Sequence, residues 1–117
     1  MNERNLQDHI RLAISQFRLA TMFRNNVGMA RLKGGSRLRF GLVKGSSDLI
    51  GFRTITITPD MIGKSVAVFT AIEIKTGRGI VSKEQLNFLT RVSLAGGIAG
   101  VVRSEEDAIT LLKGDTK

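Results

Sequence analysis

At 117 residues, 42% of them apolar, the chain is long enough to bury one core and too short for two, so residues 1–117 are expected to form a single small domain. It has no cysteine and one histidine, His9, which excludes disulfide frameworks, thiolate or His-rich metal centres and Ser-His-Asp catalysis; its polar start and lack of a long apolar run predict a soluble, cytoplasmic protein, not a membrane one. The net charge is +8, and residues 1–44 carry +7 of it through nine Lys or Arg against Glu3 and Asp8.

The first element reads as an amphipathic helix from Glu3 to Phe17. At 100° per residue Leu6, Ile10, Ala13, Ile14 and Phe17 form one stripe, expected to face the core. Glu3 lies on the stripe side, one turn before Leu6. It is therefore placed either to reach a site at the core's edge or simply to complement the helix dipole.

No acid occurs between His9 and Ser47, so this region carries a positive field suited to a polyanion. Nucleic acid is the first candidate, and an anionic membrane the competing one. Tyr and Trp are absent, which points away from base-stacking platforms and towards backbone phosphates. Turn signals at Asn25-Asn26-Val27-Gly28 and Gly34-Gly35-Ser36 bound short extended pieces. Arg37-Leu38-Arg39-Phe40 alternates as a half-exposed strand does. The expected DNA contacts are Arg24, Asn25, Asn26, Arg31, Lys33, Arg37, Arg39, Lys44 and, beyond this region, Arg78.

Two apolar runs follow, Phe52 to Thr58 and Val68 to Thr76, around a turn at Pro59 to Lys64. Joined as an antiparallel hairpin they would set Asp48 opposite Ile74, beside Glu73 and Lys75. Strand alternation puts Glu73 and Lys75 on one face and predicts Ile72 and Ile74 in the core. Asp60 is a poor partner for Glu73, because at roughly 3.3 Å per residue it lies about 40 Å away along an extended strand. Gly63-Lys64-Ser65 is no phosphate-binding loop, since Thr58 stands where that motif needs glycine.

Ser82-Lys83-Glu84-Gln85 is a capping box in which Gln85 reaches back to the first residue of a helix that stops at Gly96-Gly97. Ile98 to Arg103 is a further strand. Ser104 starts a last short helix ending before Gly114.

A carboxylate and an ammonium at a strand's end are tolerated when paired, metal-bound or used for chemistry. Asp48 and Glu73 offer hard oxygen ligands, to which the Ile74 carbonyl adds a third, a set suited to Mg²⁺ or Mn²⁺. Lys75 would then orient a water or neutralise a phosphate. A plain salt bridge at the strand end is the alternative.

Asp48 followed by Glu73-Ile74-Lys75 resembles the active-site pattern of the PD-(D/E)XK nuclease superfamily. The finer resemblance is to the virus-type replication-repair nuclease (VRR-NUC) domains. It rests on Arg24-Asn25-Asn26, Gly45 to Ile50, Glu73 to Gly77, Ser82 to Gln85 and Ala95 to Gly100, in order along nearly the whole chain. Ser47 stands where the superfamily name has proline. The resemblance implies a mixed α/β fold with a restriction-endonuclease-like core, running helix, β-hairpin and strands, helix, strand. It implies that Asp48 and Glu73 hold the metal, that Lys75 is the catalytic lysine, that Gln85 supports the site, and that Glu3 is the acid of the first helix.

The expected function is metal-dependent cleavage of DNA phosphodiesters at branched substrates such as four-way junctions. The resemblance also implies a homodimer, and a bacterial host cytoplasm if the source is a phage; no nucleotide cofactor is expected. A DNA-binding module that has lost catalysis and a sequence-specific restriction-type enzyme are the alternatives.

Overall fold

The computed structural model describes residues 2–114, and the chain divides into two compact units, with the boundary in sequence between Arg53 and Thr54. The first unit contains α1 (Glu3–Gln16), β1 (Thr21–Arg24), β2 (Gly28–Arg31), β3 (Arg37–Phe40) and β4 (Leu49–Phe52). The second contains a 3₁₀ turn (Pro59–Met61), β5 (Thr70–Ile74), α2 (Lys83–Leu94), β6 (Ile98–Val102) and α3 (Glu105–Lys113). The mixed α/β class is as expected. No described helix is long and apolar enough to cross a membrane.

In the first unit α1 is capped by Asn2, whose side chain accepts from the Asn5 N–H at 2.8 Å. It ends with paired bonds from Arg18 N–H to Ser15 O (3.1 Å) and Leu19 N–H to Ile14 O (3.0 Å), which require a left-handed residue between them. Arg18 is that residue, at φ 52°. The strands pair as two antiparallel ribbons. β1 runs against β4 with Arg24 opposite Leu49, and β2 against β3 with Arg31 opposite Arg37.

The second unit is a β-α-β crossover extended by a helix. β5 and β6 lie parallel, from Thr70 beside Ile98 to Ile74 beside Val102, and α2 connects them. Neighbours in a parallel pair share a face, so Ala71, Glu73 and Val101 look one way, and Ile72, Ile74 and Gly100 the other. α2 covers the first face through Gln85, which bonds Glu73. α3 packs on the β6 part of the second, where Leu111 lies so close to Gly100 that an added Cβ would sit 3.1 Å from its methyl groups. Among the described residues the buried side chains are Leu89, Val92 and Val102, all in this unit. α2 has both halves of its capping box, and it stops at Gly96 (φ 102°), after which the Gly97 N–H returns to Val92 O at 2.9 Å.

Three expectations are corrected. The hairpin between the Phe52 and Val68 runs is not formed: β4 is paired with β1 and β5 with β6, while Arg53 to Thr58 belong to no strand. High β propensity marks a segment that suits pairing but does not choose its partner. Here Thr54 instead donates its hydroxyl to Ala95 O at 2.7 Å, holding the segment on the end of α2. The second correction is the face of β5. Its alternation is as predicted but reversed in sense: Ala71, Glu73 and Lys75 are half-buried and Ile72 and Ile74 exposed. Crossover pairing puts α2 over the carboxylate face, an arrangement that a hairpin register cannot anticipate. The third is α1, whose stripe is not buried: Leu6 is 50% and Phe17 74% exposed. The four-residue strands of this unit are too narrow to cover it.

A non-glycine residue in the left-handed region costs roughly 1 kcal/mol. Arg18→Gly should therefore raise the stability of the protein by about that amount in urea unfolding. A loss of stability would mean that the Arg18 side chain makes contacts that outweigh the strain.

Candidate active site

Glu73 lies near the end of β5, and Lys75 one pleat further on the same face. Lys75 Nζ is 3.5 Å from Glu73 Oε2, and the two side chains keep 20% and 27% of their surface exposed. Gln85 completes a triangle, donating from Nε2 to the same Glu73 oxygen at 3.0 Å. The other end of the Gln85 amide is occupied by its helix cap: Oε1 accepts the Ser82 N–H at 2.9 Å, while the Gln85 N–H donates to Ser82 Oγ at 3.0 Å. An amide oxygen must face the cap, so its nitrogen must face the carboxylate. Capping the helix and bonding to Glu73 are thus one arrangement of the Gln85 amide.

Both donors converge on Oε2, and among the described residues no hydrogen bond takes up Glu73 Oε1. The Ile74 carbonyl lies on the edge of β5 away from β6. The bonds from Ile98 N–H to Phe69 O and from Lys75 N–H to Val102 O turn odd-numbered backbone groups of β5 towards β6, and even-numbered ones outward. Glu73, Gln85 and Glu84 also line a hollow of about 270 Å³ with Ala71, Phe88 and Leu89.

Asp48 belongs to the first unit, immediately before β4, and is exposed. Its segment is held by Asn25. The Asn25 N–H donates to Asp48 O at 2.8 Å, and Nδ2 donates to Ser46 Oγ at 2.7 Å and to Ser47 O at 2.9 Å. Asn25 Oδ1 accepts the Leu42 N–H at 3.1 Å. Asn25, expected among the DNA contacts, thus has its amide engaged on both ends within the protein, and the structure gives it a positioning role. No sequence motif separates these two roles.

Arg31, Arg37 and Arg39 share one face of the β2–β3 ribbon, because Arg31 is opposite Arg37 and Arg39 opposite Met29. All three are exposed, as are Lys33 in the turn between the strands, Lys44, Asn26 and, in the loop after β5, Arg78. Like charges directly opposite each other destabilise a ribbon. Arg24 is half-buried, and its Nε is buried without a hydrogen-bond partner.

Glu3 stands exposed in the first turn of α1. Asp60, set aside on sequence grounds, sits in the 3₁₀ turn with its carboxylate accepting from the Thr58 hydroxyl. Among the described residues no group of three or more His, Cys, Asp or Glu assembles as a metal cage.

Asn25→Ala removes three side-chain hydrogen bonds at once, so it should lower stability by about 2 kcal/mol, with Asn25→Asp, which keeps the acceptor for Leu42, falling between. Urea unfolding measures both. An alanine variant within about 0.5 kcal/mol of wild type would show that this side chain does not hold the Asp48 segment.

The model of the VRR-NUC domain matches residues 11–106, a stretch that includes Asp48, Glu73, Lys75 and Gln85 and leaves Glu3 outside. No curated protein and no solved structure matches the chain. With most of its length matched, the chain belongs to the VRR-NUC family, nuclease domains of the PD-(D/E)XK kind that act on DNA.

Proposed function

We propose that this protein is a metal-dependent endonuclease that cuts branched DNA, such as four-way junctions, with its two units acting as one nuclease domain. The observation that carries the catalytic reading is the Glu73 carboxylate, steadied at Oε2 by Gln85 and Lys75 while Oε1 is left to another partner. Asp48, Glu73 and the outward carbonyl of Ile74 are hard oxygen donors that fit Mg²⁺ or Mn²⁺, and they would hold it. Glu3 is the weakest member of this set, exposed and outside the matched stretch. The ion, when bound, supplies positive charge against the phosphate being cleaved.

The chain's own groups do the rest. Water adds to phosphorus as the bond from phosphorus to a sugar oxygen breaks, and negative charge grows on the phosphoryl oxygens. Lys75, half-buried and already beside Glu73, donates a charged hydrogen bond to that phosphate. Gln85 keeps the Glu73 carboxylate in one rotamer, so the site needs little reorganisation during reaction. The exposed arginine face of the β2–β3 ribbon supports phosphate contacts on the flanking duplex. A homodimer belongs to the same reading, since two copies would offer one site to each of two strands.

Cleavage of a labelled four-way junction and of a linear duplex of the same sequences, with Mg²⁺, Mn²⁺ or chelator, tests this. The junction should be cut only with metal, and Lys75→Ala should lower the rate by about a hundredfold or more. Cutting of the duplex at one sequence would favour a restriction-type enzyme. Tight binding without cutting under every metal would leave a DNA-binding module.

Binding through phosphates also predicts a steep fall of affinity with salt. Arg31→Ala, Arg37→Ala or Arg39→Ala should each reduce the log-log salt slope by about one. An unchanged slope in all three would remove the ribbon from the DNA interface.

A further inference from the structure

Arg103 stands between β6 and α3, and the reaction as described makes no use of it. Its backbone is tied to the start of α3: the Arg103 N–H donates to Asp107 Oδ2 at 3.0 Å, and the Asp107 N–H to Ser104 Oγ at 3.0 Å. From this anchored base the guanidinium forks to two backbone carbonyls. Nη1 donates to Gly77 O at 3.0 Å and Nη2 to Gly79 O at 2.8 Å. Both carbonyls belong to the loop that leaves β5 directly after Lys75.

That loop is closed on itself by the Gly79 N–H, which donates to Thr76 O at 2.8 Å. It also backs onto the lysine. A Cβ added at Gly79 would lie 3.4 Å from both Cβ and Cδ of Lys75, so the loop passes alongside the methylene stem, within about a methyl group of it. A free lysine stem is among the most mobile of side chains, and one confined along its length delivers its ammonium to a narrower region. The confinement is only as firm as the loop that supplies it.

We propose that Arg103 is a positioning residue for Lys75: by clamping the Gly77 and Gly79 carbonyls it holds the loop against the lysine stem and so aims Nζ at Glu73 and the phosphate. This rests on the nuclease reading above. The fork is what matters here, since a lysine carries the same charge but has no planar pair of donors to span two carbonyls. A direct contact from Arg103 to DNA phosphate is the competing role.

The test uses the full chain with Arg103→Lys and Arg103→Ala. Amide hydrogen exchange is read first, without DNA or metal. Both variants should exchange the Gly79 amide about tenfold faster than wild type, as expected for a lost pair of exposed hydrogen bonds, while the β5–β6 amides stay protected. Unchanged exchange at Gly79 overturns the clamp, and general loss of protection in the alanine variant leaves Arg103→Lys to decide.

Single-turnover cleavage at saturating DNA is read second, beside DNA affinity. Both variants should lose about tenfold or more in rate, with the affinity of Arg103→Lys within about twofold of wild type. A wild-type rate in Arg103→Lys overturns the proposal, because charge alone would then suffice. So does a wild-type rate at saturation combined with weaker binding and a flatter salt dependence, which would make Arg103 a phosphate contact. If the wild type cuts no DNA with any metal, the nuclease reading fails, and the exchange measurement still judges the clamp.

Discussion

Two strands can lie parallel only if the chain between them travels back along the sheet, and between β5 and β6 it does so as α2. Much of the candidate site follows from that return. The helix starts where the loop after β5 has turned, so its first residues lie beside the strand's last ones. The cap that any helix needs at this end is then built within reach of whatever β5 presents there. In this chain β5 presents Glu73, and the third residue of the helix is Gln85, whose amide has one end for the cap and one for the carboxylate. A helix N-terminus is also a favourable electrostatic setting for a neighbouring carboxylate. The same topology puts β6 alongside, and the turn from β6 into α3 carries Arg103 back to the loop that follows Lys75.

The first unit solves a related problem with less material. Its strands are four residues long, and its apolar surface is largely uncovered, so the segment carrying Asp48 cannot be steadied by burial. Asn25 does this by hydrogen bonding instead. It sits at the end of β1 and reaches three points of the loop that runs from Leu42 to Asp48. Beside it the β2–β3 ribbon sets arginine against arginine, a pairing that opposes folding of the ribbon and favours capture of a polyanion.

Much of this could be read before any coordinates. The Ser82 to Gln85 capping box, the glycine stop of α2, the start of α3 and the extent of α1 depend on contacts within four or five residues, and all appear where the local pattern puts them. The pairing of Glu73 with Lys75 follows from strand alternation, another local property. The resemblance carried by Asp48, Glu73-Ile74-Lys75 and their neighbours led to the right family. The errors lie where a segment chooses among distant partners. Arg53 to Thr58 has the composition of a strand and forms none, and β5 is paired with the parallel strand β6 where an antiparallel hairpin partner was expected.

The sequence by itself therefore determined the helices, their caps, the charge asymmetry and the family. Each is decided by neighbours along the chain or by composition. Only the tertiary structure decided which face of β5 meets α2, that the Gln85 amide bridges cap and carboxylate, and that Asn25 and Arg103 hold the Asp48 segment and the loop after Lys75. These roles consist of single hydrogen bonds to groups some 12 to 26 residues away. A residue's type states what it can donate or accept; the groups that answer it are set by the path of the chain between them.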